Sequence, residues 1–150
     1  MGQHWKVINL TKREYILAHE LGCGLKLWEQ LVNRPGTAQA LVILLAAMPV
    51  ARGGGDLEED DVVGRWAGDR IALVGDYAEK GDLAQSGESE SRSVFADTLY
   101  DLCGEPEEGE EPPEPVYTNI SHLVRPVLER EFGGKYEERD YGWTYIADKK

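Results

Sequence analysis

The sequence predicts an α+β fold: a small antiparallel sheet packed against three to four helices in a single domain. Three observations predict it. Short apolar or alternating runs near 4–18, 62–74 and 141–146 read as strands, while helix-spaced apolar stripes stand at 25–32, 95–103 and 120–132. A length of 150 residues suits one domain with a sizeable core.

In chain order, His4-Trp5-Lys6-Val7-Ile8-Asn9-Leu10 opens as a strand, Thr11-Lys12-Arg13 turns, and Glu14-Tyr15-Ile16-Leu17-Ala18 returns, making an N-terminal hairpin. Residues 25–32 place Leu27, Trp28, Leu31 and Val32 at helical spacing before Asn33 and Pro35 stop the run, so a short amphipathic helix is expected. Thr37 is positioned to cap a segment from Ala38 to Met48 that is apolar nearly all round and ends at Pro49. Its Ala and Leu content favours a buried helix, although Leu41-Val42-Ile43-Leu44-Leu45 alone also suits a central strand.

Val62-Val63-Gly64-Arg65-Trp66 and Arg70-Ile71-Ala72-Leu73-Val74 read as two strands joined by Ala67-Gly68-Asp69 into a second hairpin. Both faces of the 70–74 run are apolar, which predicts a central strand. Residues 78–91 are polar and read as a long loop; Ser91 or Ser93 then caps a helix carrying Phe95, Leu99, Leu102 and Cys103, ended by Gly104. Thr118 or Asn119 caps the last strong helix. Its stripe is Ile120, Leu123, Val124, Val127, Leu128 and Phe132, with a kink expected at Pro126 and an end at Gly133-Gly134. Tyr141, Trp143 and Tyr145 alternate with Thr144 and Ile146 along an edge strand, expected to join the same sheet.

The net charge of −12 is local. Residues 56–61 hold five acids and residues 105–114 hold six; without those eleven, 17 of the 28 acidic residues remain against 16 Lys and Arg. Both stretches, about 52–61 and 104–116, are expected to be flexible acidic loops. No basic cluster stands ready to displace counterions from a phosphate backbone, which disfavours direct nucleic-acid binding. There is no apolar run of membrane-spanning length, no signal-peptide plan, and no Ser or Thr at Lys6 to complete a myristoylation motif, so a soluble cytoplasmic protein is expected. Cys23 and Cys103 have neither disulfide nor zinc spacing and are expected as reduced, buried thiols.

Two places could carry chemistry. His19-Glu20 begins like a zinc-binding HExxH, but the fifth residue is Cys23, and Gly22 and Gly24 oppose the helix that geometry needs, which leaves a loop histidine. Arg52-Gly53-Gly54-Gly55-Asp56 frees the backbone to form an anion-binding nest, yet it lacks the lysine and spacing of a phosphate loop. Together with Arg65, Asp69, Arg70 and Asp76 it is the candidate ligand site, and Asp56, Asp69 and Asp76 are the candidate carboxylates for a hard cation, Mg²⁺ or Ca²⁺. The competing reading is a joining loop, with Asp69 and Asp76 closing turns and pairing with Arg65 or Arg70.

In Arg52-Gly-Gly-Gly-Asp-Leu57, Gly64-Arg-Trp-Ala-Gly-Asp-Arg-Ile71, Gly75-Asp-Tyr77 and Lys12-Arg-Glu-Tyr-Ile16, the chain resembles a group of small uncharacterised microbial proteins. The resemblance implies one compact domain and no particular chemistry. Three functions of different classes are open: a non-catalytic interaction or regulatory module binding another protein, a small metal-dependent hydrolase or ligand-binding enzyme, and an acidic decoy occupying a nucleic-acid-binding partner. The first is favoured, because no nucleophile, base and orienter assemble from the sequence.

Overall fold

The computed structural model describes residues 3–32, 35–47, 57–78, 99–104, 108–111 and 115–148. Residues 79–91 of the expected loop, the residues of the expected helix before Leu99 and most of the 105–114 run lie outside those residues. Within them the chain is α+β, with a four-stranded sheet, a two-stranded sheet and three α-helices.

β1 (Trp5–Asn9) and β2 (Glu14–Ile16) form the expected hairpin, with Val7 opposite Ile16 and Asn9 opposite Glu14. β3 (Ile71–Gly75) runs antiparallel along the other side of β1, and β4 (Thr118–Asn119) runs parallel to β2. The sheet is therefore mixed, in the order β3-β1-β2-β4. β3, expected as a central strand, stands at the end of that order among the described residues; the inner, doubly covered places belong to β1 and β2.

Alternation along β1 explains why both of its faces are apolar. Val7 points with Ile16 into a core shared with Ala40, Ile43 and Leu44 of α1 (Thr37–Leu45) and with Val124, Val127 and Leu128 of α3 (Ser121–Phe132). Ile8 and Leu10 point the other way, with Tyr15 and Val74, onto Leu99 and Leu102 of α2 (Leu99–Leu102). Each fully buried Val, Leu or Ile here stabilises the fold by roughly 1.5–3 kcal/mol relative to an exposed one. α3 stops where Gly133 takes a left-handed conformation (φ 68°) and returns its N–H to the Glu129 carbonyl at 3.0 Å. At its start, Asn119 Oδ1 accepts the Ser121 N–H at 2.9 Å.

Four further expectations are corrected. The 62–66 run is not a strand: Val63, Arg65, Ala67 and Asp69 each donate to the carbonyl three residues back, so the segment is a chain of tight turns. Its buried residues, Val62, Val63 and Trp66, have helical rather than alternating spacing, and Gly64 and Trp66 donate to the Ile43 and Leu44 carbonyls near the end of α1. Second, the segment from 38 is a helix, as favoured, but it is not buried all round: Val42 and Leu45 are exposed. Third, the C-terminal aromatic strand β6 (Gly142–Ala147) does not join the main sheet; it pairs with β5 (Gly134–Arg139), Glu138 opposite Trp143 and Tyr136 opposite Tyr145. Fourth, the 25–32 helix contracts to a single 3₁₀ turn, Trp28–Leu31.

Candidate functional site

Of the residues nominated from the sequence, Arg52, Gly53, Gly54, Gly55 and Asp56 lie outside the described residues. Arg65 donates from Nε and Nη2 to both carboxylate oxygens of Glu14, and the Trp66 indole Nε1 donates to Glu14 Oε1 at 2.9 Å. This network pins the 62–69 turns to β2. Asp69 accepts from Asn9 Nδ2 at 2.9 Å and pairs with Lys12, which closes the β1–β2 turn. Asp76 Oδ1 accepts the His4 N–H at 3.0 Å, and the Arg70 N–H donates to Thr11 Oγ1 at 2.9 Å.

Arg65 and Asp69 thus pair with the β1–β2 hairpin rather than with each other or with Asp76. Asp69 and Asp76 flank opposite ends of β3, which at the rise of an extended strand puts them roughly 20 Å apart. One cation cannot touch both. Among the described residues, no group of three His, Cys, Asp or Glu side chains could hold a metal ion.

The structure instead assembles polar groups around Glu20, on the 3₁₀ turn Ala18–Glu20. Glu20 Oε1 pairs with Arg125 of α3 at 3.3 Å, and Oε2 accepts from Asn119 Nδ2 at 2.6 Å. Arg125 also donates to the Glu20 carbonyl at 3.2 Å and lies over the Trp143 ring, 3.9 Å from its centre. The turn, the end of β4, α3 and the β5–β6 hairpin are held together by this one cluster. Beside it opens a cleft of about 530 Å³, lined by Leu17, His19, Glu20 and Asn119 on one side and by residues 138–143 on the other.

Alternation along β5 sends Tyr136 and Glu138 to the same side, facing the turn, while the cross-strand partners Tyr145 and Trp143 complete that face. The hairpin sits close enough to need glycine at its tip. Gly142 has φ 138°, and a Cβ there would stand 2.3 Å from the His19 carbonyl oxygen. Burial holds the His19 imidazole below its ordinary pKa, Lys6 pushes the same way, and the neighbouring Glu20 opposes. The tip residue, Tyr141, is 94% exposed.

A second feature lies on Trp28–Leu31 and α1, which pack against each other. The 3₁₀ turn is inside out. Gln30 is 4% exposed, and its Nε2 donates to the carbonyls of Trp5 (3.1 Å) and Leu25 (3.3 Å). Trp28 and Val32 are each 73% exposed, with Leu31 also outward. On α1, Val42 is 69% exposed and Leu45 lies on the same side of the helix. Helical spacing predicts a short amphipathic helix at 25–32 and a buried one from 38; Gln30, whose side-chain N–H donates to the carbonyls of Trp5, at the start of β1, and of Leu25, takes the inward position on the turn.

Sequence reasoning also missed the Glu20–Arg125–Trp143 cluster, whose members are 18 or more positions apart. The only local signal is His19-Glu20, which spacing alone reads as half of a metal motif or as a loop histidine.

No known protein family, curated protein or solved structure matches the chain. Among the described residues, no helix is long and apolar enough to cross a membrane.

Proposed function

We propose that this chain is a non-catalytic interaction or regulatory module, one folded unit working in the cytoplasm, that docks another protein through the outward apolar face of Trp28–Leu31 and α1. The observation that carries the reading is the inversion of the 3₁₀ turn: a glutamine is buried while Trp28, Leu31 and Val32 face water. Exposed clusters of large apolar side chains beside a largely apolar helix are the signature of a surface covered by a partner. Exposed aromatic anchors are also the residues on which binding energy concentrates. The polar groups nominated as a ligand site, Arg65, Asp69 and Asp76, make their hydrogen bonds to neighbouring strands and turns.

The partner's chemistry follows from what rims the face. Glu29 is exposed on the turn itself, next to Trp28. A partner with an apolar ridge and a Lys or Arg beside it is complementary to that arrangement.

A photo-reactive residue placed at Val42 in the full chain tests the reading in the source cells, with Glu137 on the β5–β6 hairpin as the control position. A discrete adduct from position 42, identified by mass spectrometry and reconstituted from purified components, is expected. Equal labelling from both positions, or a reconstituted complex indifferent to Trp28→Ser, contradicts the docking face.

A further inference from the structure

The cleft between the Ala18–Glu20 turn and the β5–β6 hairpin shares no residue with the outward apolar face, and what it can hold follows from its own lining. Its volume, about 530 Å³, is that of an ordinary ligand pocket. Leu17 and Trp143 supply an apolar floor and wall, with Tyr141 at the rim. The charges on it are unequal. Glu20 is already committed to Arg125 and Asn119, and Arg139 is committed to Glu137 at 2.8 Å. Glu138 and Asp140 line the cleft with no cationic partner among the described residues.

A cleft in which Leu17, Trp143 and Tyr141 stand beside two carboxylates with no cationic partner among the described residues suits one kind of guest: an aliphatic stem carrying a positive head. The molecule already solves the same problem internally, where Arg125 lies over Trp143 and reaches Glu20. We infer that the cleft is a binding site for a lysine or arginine side chain of a basic peptide segment, with the stem along Leu17, Trp143 and Tyr141 and the charged head at Glu138 and Asp140. This site stands whether or not the apolar face docks a partner.

The test is a titration of the full chain, followed by amide and indole NMR, with a capped tetra-lysine peptide, a capped tetra-arginine peptide and spermidine as separate probes. Saturable shifts of the Trp143 indole and of the amides of residues 138–142 are expected from a peptide. The Glu138→Gln/Asp140→Asn double variant should bind about tenfold more weakly or worse, and raising the salt concentration should weaken binding in the wild type. Both substituted side chains are exposed, so the variant should keep the wild-type circular dichroism; Tyr141→Ala, which leaves both carboxylates in place, should weaken binding as well. Shifts confined to the acidic stretches around 58–61 and 108–111, or a double variant binding like wild type, would mean non-specific attraction and overturn the site. Binding by spermidine but by neither peptide would overturn the peptide assignment, and so would the absence of binding up to roughly 10 mM peptide.

Discussion

Replacing Glu14 by Ala should expose how much of the fold hangs on one carboxylate. The Trp66 ring is fully buried and its indole N–H donates to Glu14; left without an acceptor, such a donor costs about 1–3 kcal/mol. Breaking a fully buried ion pair costs about 3–5 kcal/mol, but the Arg65 side chain remains 35% exposed and can turn to water, so roughly 1 kcal/mol is the better figure for its share. With the void left by the missing atoms, the total comes to about 3–4 kcal/mol. Glu14→Gln keeps an acceptor for the indole and should cost about 1–2 kcal/mol.

Urea denaturation followed by circular dichroism measures both, and pH adds a second check. Burial, the largest influence, pushes the Glu14 carboxyl up, but hydrogen bonds from Arg65 and Trp66 with the charges of Arg65 and Lys12 together hold it below its ordinary 4.5. A carboxyl lowered on folding stabilises fully above 4.5, and that contribution is lost as pH falls through the folded value. The wild-type advantage over Glu14→Gln should therefore be flat near neutrality and shrink in acid. A Glu14→Ala loss under about 0.5 kcal/mol, or an advantage that grows as pH falls, would refute the reasoning.

Leu128→Ala should cost about 2–5 kcal/mol by calorimetry, since Leu128 is fully buried between α3 and the sheet, and an unchanged midpoint would place the helix wrongly. Asp69→Asn loses the Lys12 pair and should cost about 0.5–1.5 kcal/mol equally with and without Mg²⁺ or Ca²⁺; a loss seen only with the cation would put a metal at Asp69. His19 has its folded pKa below the ordinary 6.5, so relative to His19→Gln the wild type should be level above 6.5 and lose stability as pH falls below it. The opposite slope in paired melts would mean that the imidazole gains a partner on protonation. Gly142→Ala, strained at φ 138° and blocked by the His19 carbonyl, should cost about 2 kcal/mol or more and speed hydrogen exchange in β6; unchanged exchange would show that the hairpin does not rest on the turn.

The features legible in the sequence are those whose signal is local. The β1–β2 hairpin follows from two apolar runs around Thr11-Lys12-Arg13, and α3 follows from a helical stripe closed by Gly133. β5 carries only Tyr136 as an apolar residue, too little for a strand pattern, and it forms because β6 offers it a ladder from Gly134 to Arg139. The 62–66 run failed for the opposite reason. Its β-branched residues suit a strand, but the 62, 63, 66 spacing and backbone bonds to α1 decide for turns.

The candidate site was the least legible part. Charges near glycines drew attention to Arg65, Asp69 and Asp76, whose task is to tie β1, β2 and the turns together. The Glu20 cluster joins residues from four separate elements, and no spacing rule links them. The outward face of Trp28, Leu31 and Val32 was hidden by its own periodicity, which specifies one apolar side of a turn and leaves open whether that side meets the core or a partner.

The docking face is tested most directly by the affinity of the reconstituted complex, measured by isothermal titration for wild type and for Trp28→Ser/Val42→Ser. These side chains are exposed, so the variant's melting midpoint should match or exceed that of wild type. The account predicts a loss of at least about 2 kcal/mol in binding, roughly thirtyfold in Kd, with that midpoint preserved. An unchanged Kd with an intact fold would contradict it.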